Sequence, residues 1–488
     1  MITWQLWCTL LCVLWFYFLW TRRRYYKLIF QIPGPVGYPL VGTGYKMRHN
    51  EEVLLTFKHY LDKHGPSYLF WLGPLPYFIT TDPQLIQDIF NSPHCINKGF
   101  VYKALEDVAG QGLFTAKEQL WSVHRKLFNP VFAHKMLLSF IPIFNAETAN
   151  LLKTVDKLVD CGGHNMLPVM HGFSLDITSQ TTMGSDVKYC EYIRTNKLIE
   201  AFQSLADNVT AIGISPWLLS KTVRILLGKE EEYSRAKLEI KEFLEELIDS
   251  KLAKGSEAAD KNIFVNIAID MMNRGLLTKN EVIDESITIV FAAFETTANT
   301  ITYALILLAM FPEYQEKAFE EIRALFPNTG DFEVTYGDTQ NMVYLDLIIN
   351  ESMRVLSPGP LVARQTTKEV RLSNGVVLPR GIQIAIDIFH LHRDKNLWGE
   401  NAETFDPDHF LPHNMQDKHP YSFIPFTKGI RNCIGWRYGL IAIKVAMAKL
   451  LRNYKFSTSF KFEDLRFCEH VTLSLETVPL LEVQRRDY

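Results

Sequence analysis

The stretch from Thr278 to Phe311 constrains this chain most. Thr278 and Glu281 have the spacing of a capping box, in which each side chain satisfies the other's backbone N–H. A helical pattern then runs unbroken to Phe311, just before Pro312, where a helix has to stop or start afresh. At 1.5 Å per residue this is about 50 Å of helix. It is apolar nearly all round, and such a helix has to be wrapped by other elements. The pattern therefore predicts a long helix crossing the centre of one large domain. The chain can supply the wrapping, with 488 residues, 47% of them hydrophobic, no internal repeat and no Pro/Gly/Ser-rich linker after position 50.

The remaining pattern points to a mainly α fold with a smaller β region (α+β). Leu54 to His64 is helical by period, and residues 83 to 330 are mainly helical. Tyr68 to Thr81, rich in aromatic and β-branched residues and interrupted by Gly73 and Pro74, reads as a hairpin. A second hairpin is expected where Val370–Ser373 and Val376–Leu378 flank Asn374-Gly375. The first 21 residues carry no charge and many large apolar side chains, and Arg22, Arg23, Arg24 and Lys27 follow. That length spans a bilayer. A secretory signal would put its basic residues first, and the basic cluster places the following domain on the cytoplasmic side. Three segments are expected: an anchor over 1–21, a basic and proline-rich linker over 22–50, and a catalytic domain over 51–488. The linker includes the stiff run Ile32-Pro33-Gly34-Pro35. A net charge of -3 leaves no footprint for nucleic acid. Seven cysteines with no CxxC pair suggest no disulfide framework.

The chemistry concentrates in a few short segments. The loop Phe426-Thr-Lys-Gly429-Ile-Arg431-Asn-Cys433-Ile-Gly435 sets one cysteine between glycines, ahead of a helix-prone stretch from Gly439 to Leu451. Helix N-terminal N–H groups and a nearby cation favour an ionised sulfur, so the loop suits a thiolate offered to a metal. The plainer alternative is a buried structural thiol beside a turn. Within the long helix, Ala292, Thr296 and Thr300 share a face, and small residues there leave room for a ligand. Glu295 is costly in such a helix without a partner or a task; a satisfied polar cluster in a core is the plainer alternative. Glu351 and Arg354 sit three apart on the helical stretch Leu345–Val355, and Trp121 and Arg125 four apart on another. Lys428, Arg437, Lys444, Arg125 and Lys126 make up a basic rim that suits an acidic redox partner, or an ordinary solvated face.

In this order the motifs resemble those of the cytochrome P450 family over the whole chain. The resemblance implies that Cys433 is the thiolate ligand of haem iron, in a haem-binding loop whose other marked positions are Phe426, Gly429, Arg431 and Gly435. It implies that Arg431, Trp121, Arg125 and Arg364 meet the haem propionates. Glu295 and Thr296 would manage the protons that dioxygen activation needs, and Glu351 and Arg354 would lock the core, with His409 at the third position of that network. Three departures stand out. Ala293 replaces the usual glycine, His409 the usual arginine, and Ala292 the glutamate through which many relatives esterify the haem, so haem b is expected to be held non-covalently. The run from Arg431 to Phe456 resembles the microsomal fatty-acid hydroxylase clan and its insect branch. The implied reaction inserts one oxygen atom of O2 into an apolar small molecule, a fatty acid, hormone or xenobiotic. Its electrons would come from NADPH through NADPH–cytochrome P450 reductase, with cytochrome b5 as a second donor, at the endoplasmic reticulum membrane. A haem-thiolate isomerase or dehydratase, or a haem-binding protein without turnover, are the alternatives. Substrate choice is expected to lie in residues 96–116, 200–240 and 470–476.

Overall fold

A computed structural model of the chain describes residues 2–185, 189–190, 197–254, 262–328 and 330–486. Helices dominate, and the expected long one runs over Lys279–Met310. Its capping box forms as the spacing implies: Thr278 N donates to Glu281 Oε2 at 2.7 Å, and Glu281 N to Thr278 Oγ1 at 3.3 Å. Pro312 opens the next helix, Pro312–Leu325, because a proline at the first helical position gives up no needed donor. From Ile301 to Leu308 every residue of the long helix is buried, and this half belongs to the main core cluster with residues of Trp436–Asn453, the helix that follows the cysteine loop.

The larger sheet has five strands in the spatial order Ser67–Leu72, Leu75–Thr80, Gln383–Asp387, Leu361–Gln365, Asn97–Lys98. Only the pairing of Leu75–Thr80 with Gln383–Asp387 is parallel. The register of the outer pair sets Lys98 directly opposite Arg364. Near the C-terminus, Phe467–His470 and Thr472–Leu475 form a tight hairpin, turned at Val471 with a φ of 63°. The hairpin expected at Asn374-Gly375 joins Val370–Arg371 to Val377–Leu378, with Gly375 at a φ of 87°.

Two helices among the described residues are long and apolar enough to cross a membrane, Trp4–Gln31 and Lys279–Met310. The most apolar window of the second is 78% buried, and this is the core helix; that of the first is 6% buried, and only its C-terminal end packs on the protein, with Leu28 buried and Arg22 over the Trp71 ring. Trp4, Trp7, Leu11, Trp15 and Phe16 stand exposed along it. Helical structure extends past the expected anchor, through Arg23–Tyr25 into Tyr26–Gln31. The extended stretch begins only at Ile32, which Pro33 forces out of the helical region.

Candidate functional site

A cavity of about 440 Å³ lies between the long helix, the cysteine loop, the sheet and the C-terminal hairpin. The cysteine loop is built to present one sulfur to it. Cys433 N donates to Phe426 O at 3.0 Å and Asn432 N to Gly429 O at 3.2 Å. Gly429 is required here: its φ is 74°, and a Cβ would come 2.4 Å from Phe90 O. Gly435, by contrast, has an ordinary φ of −91° and no crowding from the protein, so its small size matters only toward the cavity. All seven cysteines are free, and Cys433 alone lines the cavity. Cys433 is exposed, but to this internal space.

Burial pushes the Cys433 thiol up; the Gly435 amide, Arg125 and Lys98 favour the ionised sulfur, and burial outweighs them. Arg431 is not the cation that acts on the sulfur. Its Nε donates to Ile96 O and its Nη1 to Leu113 O, both at 3.0 Å, and its Nη2 to Ala116 O, while the guanidinium stacks on the buried Trp121 ring 4.7 Å away. Three of its five donors are thus spent on the backbone. The central helix fixes that backbone, since Gln111 N donates to Asp284 and Leu113 N to Glu285. Arg125 turns inward and donates to Asn432 O and Oδ1, both at 2.9 Å, bracing the loop beside Cys433.

Lys98 is the site residue that sequence reasoning missed. It lines the cavity and faces Arg364 across the sheet, with Arg431 near enough to oppose its charge; burial and these two cations hold its ammonium well below its usual range. Directly opposed like charges destabilise a sheet, and Arg364 Nη2 is buried with no hydrogen-bond partner. Such a cluster fits a ligand that brings carboxylates, and with a lone cysteine below it the site fits haem. Among the described residues no group of three or more His, Cys, Asp or Glu side chains is placed to hold a metal ion, so iron would have to arrive with ligands of its own. A one-residue strand position such as Lys98 carries no pattern in the sequence; only its pairing with Arg364 makes it visible.

Above Cys433, the long helix turns Ala292, Ala293, Glu295, Thr296, Thr297 and Thr300 to the cavity. Thr296 Oγ1 donates to Ala292 O at 2.8 Å and Thr300 Oγ1 to Thr296 O at 2.7 Å. Glu295 Oε1 accepts from Thr472 Oγ1 of the C-terminal hairpin at 2.8 Å, and Asn299 Nδ2 donates to that same hydroxyl at 3.2 Å. Burial pushes the Glu295 carboxyl up to about 7, against the Thr472 hydrogen bond.

The Glu351–Arg354 pair is fully buried and bidentate, with Nε–Oε2 and Nη2–Oε1 both at 2.7 Å. Arg354 also donates to His392 O, Ala402 O and Thr404 O. His409 takes up the third position, its Nδ1 3.0 Å from Glu351 Oε1. His392 Nε2 accepts from Ile424 N at 3.0 Å, and Ile424 O from Thr427 N at 2.9 Å, so the pair reaches the cysteine loop in a few steps. Burial raises the Glu351 carboxyl, but Arg354 and His409 outweigh it and hold the group below its usual range.

The basic rim needs correction. Lys444 is buried, 2.7 Å from Asp346, and donates to Thr339 O. Arg125 is engaged on Asn432, and Lys428 donates to Pro420 O. Arg437 and Lys126 remain exposed. Charge alone does not say which way a lysine on a helix or loop points, and these three found partners inside the protein.

An α-dominated fold with a lone cysteine loop under a long, threonine-bearing central helix is the arrangement of a haem-thiolate protein. Residues 32–479 match the family profile of Cytochrome P450, and the chain belongs to that family. It is 58% identical, over the full length of both chains, to "Probable cytochrome P450 313a4" of Drosophila melanogaster. It is 40% identical to "Probable cytochrome P450 313a3" of the same fly over 97% of each chain, and 30% identical to "Cytochrome P450 4c21" of Blattella germanica over 90% of each. It is an insect P450 monooxygenase with a thiolate-ligated haem iron, a small-molecule substrate and a redox partner.

Proposed function

We propose that Cys433 is the haem ligand and that the chain hydroxylates apolar small molecules with electrons from NADPH, passed on by NADPH–cytochrome P450 reductase or cytochrome b5. The observation that carries this is the Cys433 sulfur facing, across one cavity, the Glu295–Thr296 segment of the central helix. When bound, haem supplies the activation of O2. Lys98, Arg364 and Arg431 supply positive charge for its propionates, with Trp121 stacked on Arg431 and Arg125 beside them bracing the cysteine loop. The test is substrate-dependent, reductase-dependent consumption of NADPH and O2 with product formed in proportion; a haem-thiolate isomerase would turn over without the reductase.

Thr296 holds its hydroxyl hydrogen on Ala292 O and turns its oxygen lone pairs to the cavity. Glu295, poised at about 7, can give and recover a proton near neutral pH. Thr296→Ala is expected to keep its haem while diverting most reducing equivalents to peroxide, read as the ratio of product to NADPH consumed. Because the Glu295 carboxyl is raised, it holds its proton below about 7 and gives it up above. Coupling should therefore fall as pH climbs through that value, and Glu295→Gln should flatten the profile. An unchanged ratio in Thr296→Ala would remove Thr296 from this role.

The haem is held as haem b without an ester. Ala292 offers no carboxylate, and Glu295 is turned to Thr472. Acidified organic solvent should extract all haem from protein that has turned over; haem retained on the denatured chain would point to Glu295.

Residues 1–21 anchor the chain in the endoplasmic reticulum membrane, residues 22–50 link, and residues 51–488 form the catalytic domain on the cytosolic side. Support comes from the exposed apolar helix and the three arginines at its end. The chain should resist a carbonate wash, with its C-terminus open to protease from the cytosol; a glycosylated C-terminal domain would reverse the orientation. Truncating the anchor should leave weak attachment, since Trp217, Ile225, Leu226 and Leu227 are exposed on the domain.

A further inference from the structure

A second carboxyl lines the cavity, and nothing described so far uses it. Glu469 sits on the hairpin strand Phe467–His470, whose backbone is tied to the N-terminal helical region by Glu469 N donating to Asn50 O at 3.3 Å. Its wall of the cavity also carries Val471 and Thr472, and the cavity is otherwise lined largely by apolar groups such as Phe57, Leu72 and Leu361. Glu469 forms no ion pair among the described residues. The one cation beside it, His470, is 2.6 Å from Asp207 on the helix Lys197–Ile214, and that contact pushes the imidazole up to about 10. His470 still acts on both carboxyls, but it is engaged with Asp207, and neither Glu469 nor Glu295 has an ion pair of its own among the described residues. The cavity's cations lie elsewhere: Lys98 and Arg125 act on the Cys433 sulfur, and Arg431 on Lys98.

We propose that Glu469 reads the polar end of the substrate, and that the substrates are apolar amines, with a cationic head on a hydrocarbon body, in place of fatty acids. This rests on the reading of the cavity as that of a haem-thiolate monooxygenase. A buried carboxylate whose partners are one backbone N–H, that of Val471, and an imidazole already engaged with Asp207 is costly, and a cationic head lowers that cost. A substrate carboxylate meets two acids here, and the cations able to attract it are those the haem propionates would occupy. Repulsion of the wrong head group gives selectivity as effectively as attraction of the right one. Burial already pushes Glu469 up to about 7, so an arriving cation draws it into the ionised form.

Three probes of equal length decide the matter on the full-length holoenzyme: decyltrimethylammonium, whose quaternary head cannot ligate iron, decanoate, and decanol. Binding is read both by equilibrium dialysis and by the spin-state shift of the haem. The cation is expected to bind about tenfold more tightly than decanoate, the order of one coulombic contact without a hydrogen bond. Glu469→Gln, which keeps the side chain's shape, should erase that preference and leave decanol binding unchanged, and Glu469→Lys should reverse it. Equal or tighter binding of decanoate by the unaltered protein, or a preference that survives Glu469→Gln, overturns the proposal, as does failure to bind any of the three. The parent reading is judged separately: protein without the red-shifted Soret band of its reduced carbon-monoxide complex fails as a haem-thiolate enzyme. Protein that shows the band and binds decanol, yet has no preference for the cation, fails only the assignment of Glu469.

Discussion

Cys433→Ser should abolish the red-shifted Soret band of the reduced carbon-monoxide complex, while Cys95→Ser and Cys468→Ser keep it in full. The expected loss is complete, because the band depends on sulfur bonded to iron and no other cysteine lines the cavity. Cys95 and Cys468 are buried away from it. The serine variant should still fold. The loop closes through backbone groups, Cys433 N on Phe426 O and Asn432 N on Gly429 O, and through Arg125 on Asn432, none of which involves the sulfur. Circular dichroism should therefore be unchanged while the band vanishes. A band that persists in Cys433→Ser would sink the assignment of the ligand.

Glu351→Gln should be the most damaging single change to stability. Arg354 is wholly buried, and without the carboxylate its charge would face carbonyl oxygens and the His409 and Trp398 rings, with no anion. Removing one partner of a buried ion pair costs about 3–5 kcal/mol. That is a large share of the roughly 5–15 kcal/mol that holds a typical domain together. The Arg354–His392–Ile424 chain ends two residues before Phe426, so haem retention should fall along with the melting temperature. The acid side follows from the same pair. A carboxyl held below its usual range contributes stability at neutral pH, and this is lost as pH falls through its native value. The parent protein should therefore lose stability at acid pH more steeply than Glu351→Gln. A melting temperature in the variant within a degree or two of the parent would show that the pair does not hold the core.

What could be read from the sequence was whatever is encoded locally. The long helix declares itself through Thr278, Glu281, Pro312 and an unbroken apolar run, and the cysteine loop through Phe426, Gly429 and Cys433, all within ten residues. The Glu351–Arg354 spacing belongs to the same class. Contributions made by one residue from a distant segment leave no such trace. Lys98 matters because the sheet sets it opposite Arg364, and Thr472 because a C-terminal hairpin folds back onto Glu295. Direction is also invisible in one dimension. Lys444 and Arg125 look like surface cations in the sequence, yet the first is buried against Asp346 and the second turns in toward Asn432. The helix through Tyr26–Gln31 escaped notice because the prolines after it dominate the local pattern.

The hairpin of Phe467–His470 and Thr472–Leu475 touches three parts of the molecule within a few residues. Glu469 and Val471 face the cavity, Thr472 holds Glu295, and His470 grips Asp207 on the helix Lys197–Ile214. A lineage that acquires a new substrate by changing this turn cannot alter the cavity wall alone. The same mutations loosen or shift the carboxyl of the central helix and the brace to its neighbour. Innovation in such a lineage should come paired, with an early variant that accepts the new compound but wastes reductant, followed by a second change on the central helix that restores thrift.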